Sequence, residues 1–243
     1  MLRKLLIVFA SGVVLSIVAF SAAWAIGGDR FTAEMDANHS WTWTFDDEDG
    51  NGDDAKSNGP AATRTFAIQS GSQLAMEIPV ELEFTRGDKA EMTVSGPARI
   101  LDRLVWEDGR LSLKGSGNMR RGLKVRITAP EIAGLDLDAP GDVRMTGLQQ
   151  ESLRLNSRGA IDLEASGKVD RMFVTADGAG SIDLGKVEGR DATVRIDGVG
   201  DVTLGATGTV DVEINGAGNV TLVRKPATLR SQMNGIGDID HDY

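Results

Sequence analysis

VTADGAGSIDL at residues 174–184 and VRIDGVGDVTL at residues 194–204 share one frame: alternating apolar and polar residues, Asp-Gly-x-Gly, then alternation again. A dinucleotide-binding loop would need a third glycine at G-x-G-x-x-G and a helix after it; Thr203 stands at that position and a strand-like alternation follows. The nine-residue calcium repeat also fails, because its period is half of the one seen here. The glycines are therefore read as residues that turn the chain between two strands, using the positive φ that only glycine adopts without strain.

Working outward, the second glycine of each motif serves as an anchor: Gly141, Gly159, Gly180, Gly200, Gly218 and Gly237, spaced by roughly 19 residues. Two residues after it come Val143, Ile161, Ile182, Val202, Val220 and Ile239, and four after it Met145, Leu163, Leu184, Leu204 and Leu222. Four before it stand Leu137, Leu155, Ala176, Ile196, Ile214 and Met233, preceded by Leu135, Leu153, Val174, Val194 and Val212. Period-two apolar columns on both sides of a corner predict strand, corner, strand, return. One such unit cannot bury its apolar face alone, so the units must stack, with equivalent positions about 4.8 Å apart. The expected fold is all-β, a parallel β-helix of roughly 19-residue turns.

The outward columns support in-register stacking. Five before the anchor run Asp136, Arg154, Thr175, Arg195, Glu213 and Gln232; one after it run Asp142, Ala160, Ser181, Asp201, Asn219 and Asp238. Neither places like charges side by side, which would destabilise a ladder. Three before the anchor, Asp138, Asn156, Asp177, Asp197, Asn215 and Asn234 are short side chains suited to a corner. Asp177 beside Asp197 is the awkward pair, and is read as facing water.

Upstream, residues 64–130 alternate less regularly, through EIPVELEF (77–84), AEMTVSG (90–96), RLVWEDGRLSLK (103–114) and LKVRITAP (123–130), with a tight-turn signal at Asp108-Gly109 and a loop over 115–121. They are expected to form the opening turns of the same solenoid. At the other end, His241-Asp242-Tyr243 replaces the expected apolar pair and is read as a polar cap against edge-to-edge association.

The N-terminus sets the compartment. Arg3 and Lys4 precede an apolar stretch from Leu5 to Ile26, with Ala23-Trp24-Ala25 as a small-x-small cleavage pattern. Residues 1–25 are expected to be a signal peptide, or an uncleaved anchor, since residues 5–26 are long enough to span a bilayer. Residues 26–63, which hold WTWTF (41–45) and DDEDGNGDDAKSNGP (46–60), read as an acidic, largely disordered linker, leaving 64–243 as the folded domain. Within the linker Asp47, Asp49, Asn51 and Gly52 match half of a calcium loop, but Asn58 occupies the place of the bidentate Glu.

A net charge of -10 argues against a nucleic-acid partner, which would require a clustered Lys/Arg surface. The absence of cysteine excludes disulfides, thiolate nucleophiles and Cys-based metal sites. His39 lies in the linker and His241 in the tail, so a Ser-His-Asp arrangement on the repeats has no base. No cofactor is implied. The best candidate catalytic pair is Asp162 and Asp183, three after the anchor in adjacent units and flanked by Arg144 and Thr203. On one ladder they would lie near the separation used by retaining glycosidases.

The succession LDAPGDVRM, NSRGAIDL, ADGAGSIDL, DGVGDVTL, NGAGNVTL and NGIGDID, after KVRITAPEIAGLDL, resembles the putative auto-transporter adhesin head GIN domain family, a domain of unknown function. The resemblance spans about Arg64 to Asp240 and departs from the pattern at Arg158 and Ala160 in the second motif. It implies a right-handed parallel β-helix in an exported bacterial protein, and supplies no catalytic residues. Two functions follow as expectations. One is a non-catalytic cell-envelope protein that presents its ladder surface to an envelope polymer, surface or protein. The alternative is a carbohydrate-active enzyme using Asp162 and Asp183.

Overall fold

The structure, a computed structural model, describes residues 61–115, 119 and 122–243. The expected signal peptide or anchor, nearly all of the linker, and Asp47, Asp49 and Asn51 lie outside the described residues. Strand β1 (Ala61–Ala67) takes in residues 61–63, so the described fold starts three residues before the expected domain boundary.

Solenoid turns are built from strand pairs that flank a corner. The first are β2 (Gln73–Met76) with β3 (Val80–Arg86), and β6 (Arg110–Leu113) with β7 (Leu123–Ala129). Between them lie β4 (Glu91–Pro97), the short helix α1 (Ala98–Leu101) and β5 (Leu104–Glu107). From β8 (Gly134–Leu137) the turns become regular. β9 (Gly141–Ser157), β10 (Ala160–Ala176) and β11 (Ala179–Ile196) each run from one corner to the next; β12 (Val199–Ala206), β13 (Thr209–Ile214) and β14 (Val220–Leu222) continue the course. β15 (Thr228–Met233) and β16 (Ile239–His241) form the last turn.

Two parallel ladders result. After the corner the order is β7, β3, then the leading parts of β9, β10 and β11, then β12, β14 and β16. Before it the order is β6, β2, β8, the trailing parts of β9, β10 and β11, then β13 and β15. The interior is aliphatic: Leu135, Leu155, Val174, Val194 and Val212 on one ladder, and Val143, Leu163, Ile182, Val202 and Val220 on the other, are 4% exposed or less. Each such side chain contributes about 1.5–3 kcal/mol by leaving water. The all-β, mostly parallel solenoid read from the repeats is the observed fold, with equivalent positions recurring every 17 to 20 residues.

The register corrects the expected columns in the second repeat. Ile161, not Gly159, lies between Gly141 and Gly180. Gly159 instead belongs with Gly178 and Gly198, the first glycines of their motifs: a Cβ at Gly178 would strike the carbonyl oxygen of Gly159, and one at Gly198 that of Gly178. Every second-repeat residue therefore moves by two places. Because strand facing has period two, the inward set stays inward while the outward neighbours change. Asn156 takes the place expected for Arg154, Arg158 the place expected for Asn156, and Asp162 the place expected for Ala160.

Close approach also replaces the expected role of the corner glycines. Of the second-glycine column only Gly180 has a positive φ, 123°. At Gly200 the constraint is the turn beneath, since a Cβ there would overlap the Gly180 carbonyl oxygen.

The opening segment is not a simple run of early turns. β3 lies between β7 and β9, so the turn built from β6 and β7 stacks outside the one that precedes it in sequence. β4 then pairs antiparallel to β7 and β1 antiparallel to β4, while β5 and β6 form a hairpin across Asp108-Gly109. These antiparallel strands cover one end of the stack. At the other end, among the described residues, β15 pairs only with β13 and β16 only with β14. Ser231 and His241 occupy inward columns there, as a polar cap requires, yet Met233, Ile236 and Tyr243 are exposed.

Candidate functional site

Outward side chains alternate with the core along each strand, so both ladders present columns of polar residues. On the ladder before the corner, charges are matched. Asn156 Nδ2 donates to Asp136 Oδ1 at 2.5 Å, and Gln73 Nε2 reaches the same oxygen at 3.1 Å. Arg195 spans Asp197 and Glu213, each at 2.7 Å. Arg154 lies over the ring of Phe173, 5.7 Å from its centroid.

The corner column resolves the awkward Asp177–Asp197 neighbours. Asp197 turns to Asn215 Nδ2, at 2.7 Å, and to Arg195; these hydrogen bonds hold its carboxyl below the ordinary value. Asn234 extends the chain of amides by donating to Asn215 at 2.9 Å. Asp191 is lowered in the same way, first by the Thr209 N–H and then by Arg190.

The ladder after the corner is acidic. One column runs Lys124, Glu81, Asp142, Asp162, Ser181 and Asp201. The next runs Arg126, Glu83, Arg144, Glu164, Asp183 and Thr203. The cations sit on β7 and β9, where Lys124 meets Glu81 at 3.7 Å, Arg126 meets Glu83 at 3.1 Å and Arg144 meets Glu164 at 3.4 Å. On β10, β11 and β12, and on or just before β14 and β16, the outward positions of these columns hold carboxylates, hydroxyls and one amide, without a base.

Here the two-place shift matters most. Asp142 and Asp162 are cross-strand neighbours, contrary to the column expected from the glycines, and Glu81 adjoins Asp142 on its other side. Burial, then Asp162 and Glu81, push the Asp142 carboxyl above its ordinary value, opposed by Arg144. Aligning VELEF (80–84) with GDVRM (141–145) would have exposed this trio; the missing glycine in the strand before it hid the match.

The same shift separates the candidate catalytic pair. Asp162 faces Ser181, while Asp183 faces Glu164 and Thr203, so the two aspartates lie in different columns. Asp183 also accepts the Gly185 N–H at 2.8 Å. Neither lines the cavity of about 420 Å³ between the first two corners, where among the described lining residues the carboxylate is Glu77, paired with Arg110 at 2.8 Å. His241 lies at the last turn, 3.0 Å from the Tyr243 hydroxyl. Among the described residues no three His, Asp or Glu side chains converge as a metal site would require, and no helix is long and apolar enough to cross a membrane.

The fold has solved counterparts. A putative adhesin from Bacteroides fragilis NCTC 9343 superposes with a TM-score of 0.60 at 21% identity, covering 74% of this chain and 96% of its own. A putative lipid binding protein from Parabacteroides distasonis ATCC 8503 matches at 20% identity and TM-score 0.44, covering 76% and 97%. A putative adhesin from the same organism matches at 15% identity and TM-score 0.44, covering 75% and 97%. At 21% identity the likeness to the Bacteroides fragilis protein is one of fold alone. No curated protein matches the chain. Residues 72–226 match the family model described as putative auto-transporter adhesin, head GIN domain, and the chain belongs to that family.

Proposed function

We propose that this is an exported, non-catalytic envelope protein whose ladder after the corner makes adhesin-like contact with an envelope polymer, surface or protein. The observation that carries this reading is the arrangement of Asp162, Glu164, Asp183 and Asp201 with Ser181 and Thr203 on successive strands about 4.8 Å apart. Such an array offers many equivalent weak contacts to an extended partner, which multivalency converts into useful affinity. Membership of an adhesin-named family and the apolar leader at residues 5–26 support the same reading. Attachment to the inner membrane follows if that leader is retained.

Two measurements test it. Fractionation of a tagged chain in the native host should place it in the periplasm or envelope; a cytoplasmic location would sink the proposal. Envelope preparations should co-sediment with the purified protein, and binding should fall severalfold in an Asp183→Lys, Asp201→Lys variant. Binding unchanged by that variant would remove the assigned face.

A further inference from the structure

Asn-Gly occurs at Asn51-Gly52 and Asn58-Gly59, which lie outside the described residues, and at Asn215-Gly216 and Asn234-Gly235, which share one corner column in adjacent turns. Asparagine before glycine is the arrangement most prone to lose its side-chain amide. Glycine has no side chain to shield its nitrogen, and its backbone freedom lets that nitrogen reach the asparagine side-chain carbon. The two corners share this chemistry but not the same restraint.

Asn215 is held from both sides. Its Nδ2 donates to Asp197 Oδ1 of the preceding turn at 2.7 Å and to Glu213 Oε1 at 3.0 Å, while the Gly216 N–H donates to the Ile196 carbonyl at 3.0 Å. From the following turn, Asn234 Nδ2 donates to Asn215 Oδ1 at 2.9 Å and the Ile236 N–H to the Gly216 carbonyl at 2.9 Å. Asn234 is exposed and held from one side. The Gly235 N–H reaches the Ile214 carbonyl at 3.1 Å, but among the described residues nothing donates to Asn234 Oδ1 or to the Gly235 carbonyl. A stack opens from its ends, so the last turn gives way by breaking one interface, whereas freeing Asn215 requires that turn and its own to open.

We propose that Asn234 is a site of spontaneous deamidation, that Asn215 is protected from it, and that the conversion frees the last turn from the stack. The Gly235 nitrogen bonds to Asn234 Cγ and closes a succinimide ring; its proton leaves with the side-chain amide nitrogen as ammonia. Water then opens one of the two ring bonds between carbonyl carbon and nitrogen, giving aspartate or isoaspartate. Either product lacks the Nδ2 donor to Asn215, and isoaspartate adds one carbon to the main chain. The corner has no room for it, since a Cβ on Gly235 would already strike the Gly216 carbonyl oxygen. β16 then leaves β14, which releases the bonds from the Gly218 N–H to the Ile236 carbonyl and from the Val220 N–H to the Asp238 carbonyl. This does not rest on the envelope-contact reading and stands or falls separately.

The test incubates the purified full-length chain in warm, mildly alkaline buffer and follows amide-to-acid conversion by mass spectrometry of tryptic peptides. Residues 231–243 carry Asn234, and residues 196–224 carry Asn215. In the folded chain Asn234 should convert about tenfold faster than Asn215 or more, and in urea the two rates should come together. Hydrogen exchange should show Gly218 and Val220 protected in the fresh chain and exposed in the converted one. Asn234→Gln cannot close the five-membered ring, so this folded variant should keep both amides protected through the same incubation. No conversion in residues 231–243, comparable rates at Asn215 and Asn234 in the folded chain, unchanged exchange after conversion, or equal loss of protection in Asn234→Gln would each overturn the proposal.

Discussion

At Asp142 the fold tolerates a charge that its neighbours oppose. Its folded pKa is raised above the unfolded value, so the folded state holds the proton more tightly. The linked stability is present at acid pH and is lost as pH rises through the folded pKa, which leaves Asp142 a cost at neutrality. Asp142→Asn should therefore raise the melting temperature at pH 7 by the equivalent of up to about 1 kcal/mol, the ceiling for a cross-strand pair, with the gain shrinking toward pH 4. A variant no more stable at pH 7 would remove the like-charge reading. Asp197 has the opposite sign: its lowered pKa stabilises above the ordinary carboxylate value, a contribution lost as pH falls. These charges were only partly legible in the sequence. Glycines could be counted, but what stacks is backbone against backbone, and Ile161 fills a glycine place without announcing it. At Gly200 the residue was legible and its reason was not. Gly200→Val should cost roughly 1–3 kcal/mol through overlap with the Gly180 carbonyl, measured by denaturant unfolding; wild-type stability would refute the close approach.

Within a strand, facing decides the outcome of a substitution. Val202 and Thr203 are adjacent on β12, but Val202 is 1% exposed and Thr203 stands outward beside Asp183. Val202→Asp buries an unpaired carboxylate and should cost roughly 3 kcal/mol or more, or unfold the domain. Thr203→Lys should change stability by about 0.5 kcal/mol or less, since the ammonium meets a carboxylate in water. Equal effects in urea unfolding would contradict the assigned facing. This alternation was the most legible property of the chain, because a core of aliphatic residues at period two admits little else. The elements before β8 were harder to place. Their alternation shows in stretches such as VELEF, but nothing local in LKVRITA tells that β7 stacks outside β3, or that β4 runs antiparallel; those are outcomes of long-range pairing.

A stack of this kind has stability close to a sum over turns and the interfaces between them, so turns should be removable in whole units. Gly180 and Gly200 are register partners, and excising residues 180–199 joins Ala179 directly to Gly200. The shortened chain would set Leu163 beside Val202 and Val174 beside Val212, both apolar matches already found between neighbouring turns. It should fold with the same β-sheet circular dichroism and melt at a lower temperature, having lost one interface. Excising residues 180–200 removes one residue more and reverses the facing of β12 relative to β10, which sends Val202 and Leu204 to the solvent side. That chain should fail to fold or should aggregate. Comparable melting of the two deletions would show that turn stacking does not carry the register, and that the covered end near β1 and β4 holds the molecule together instead.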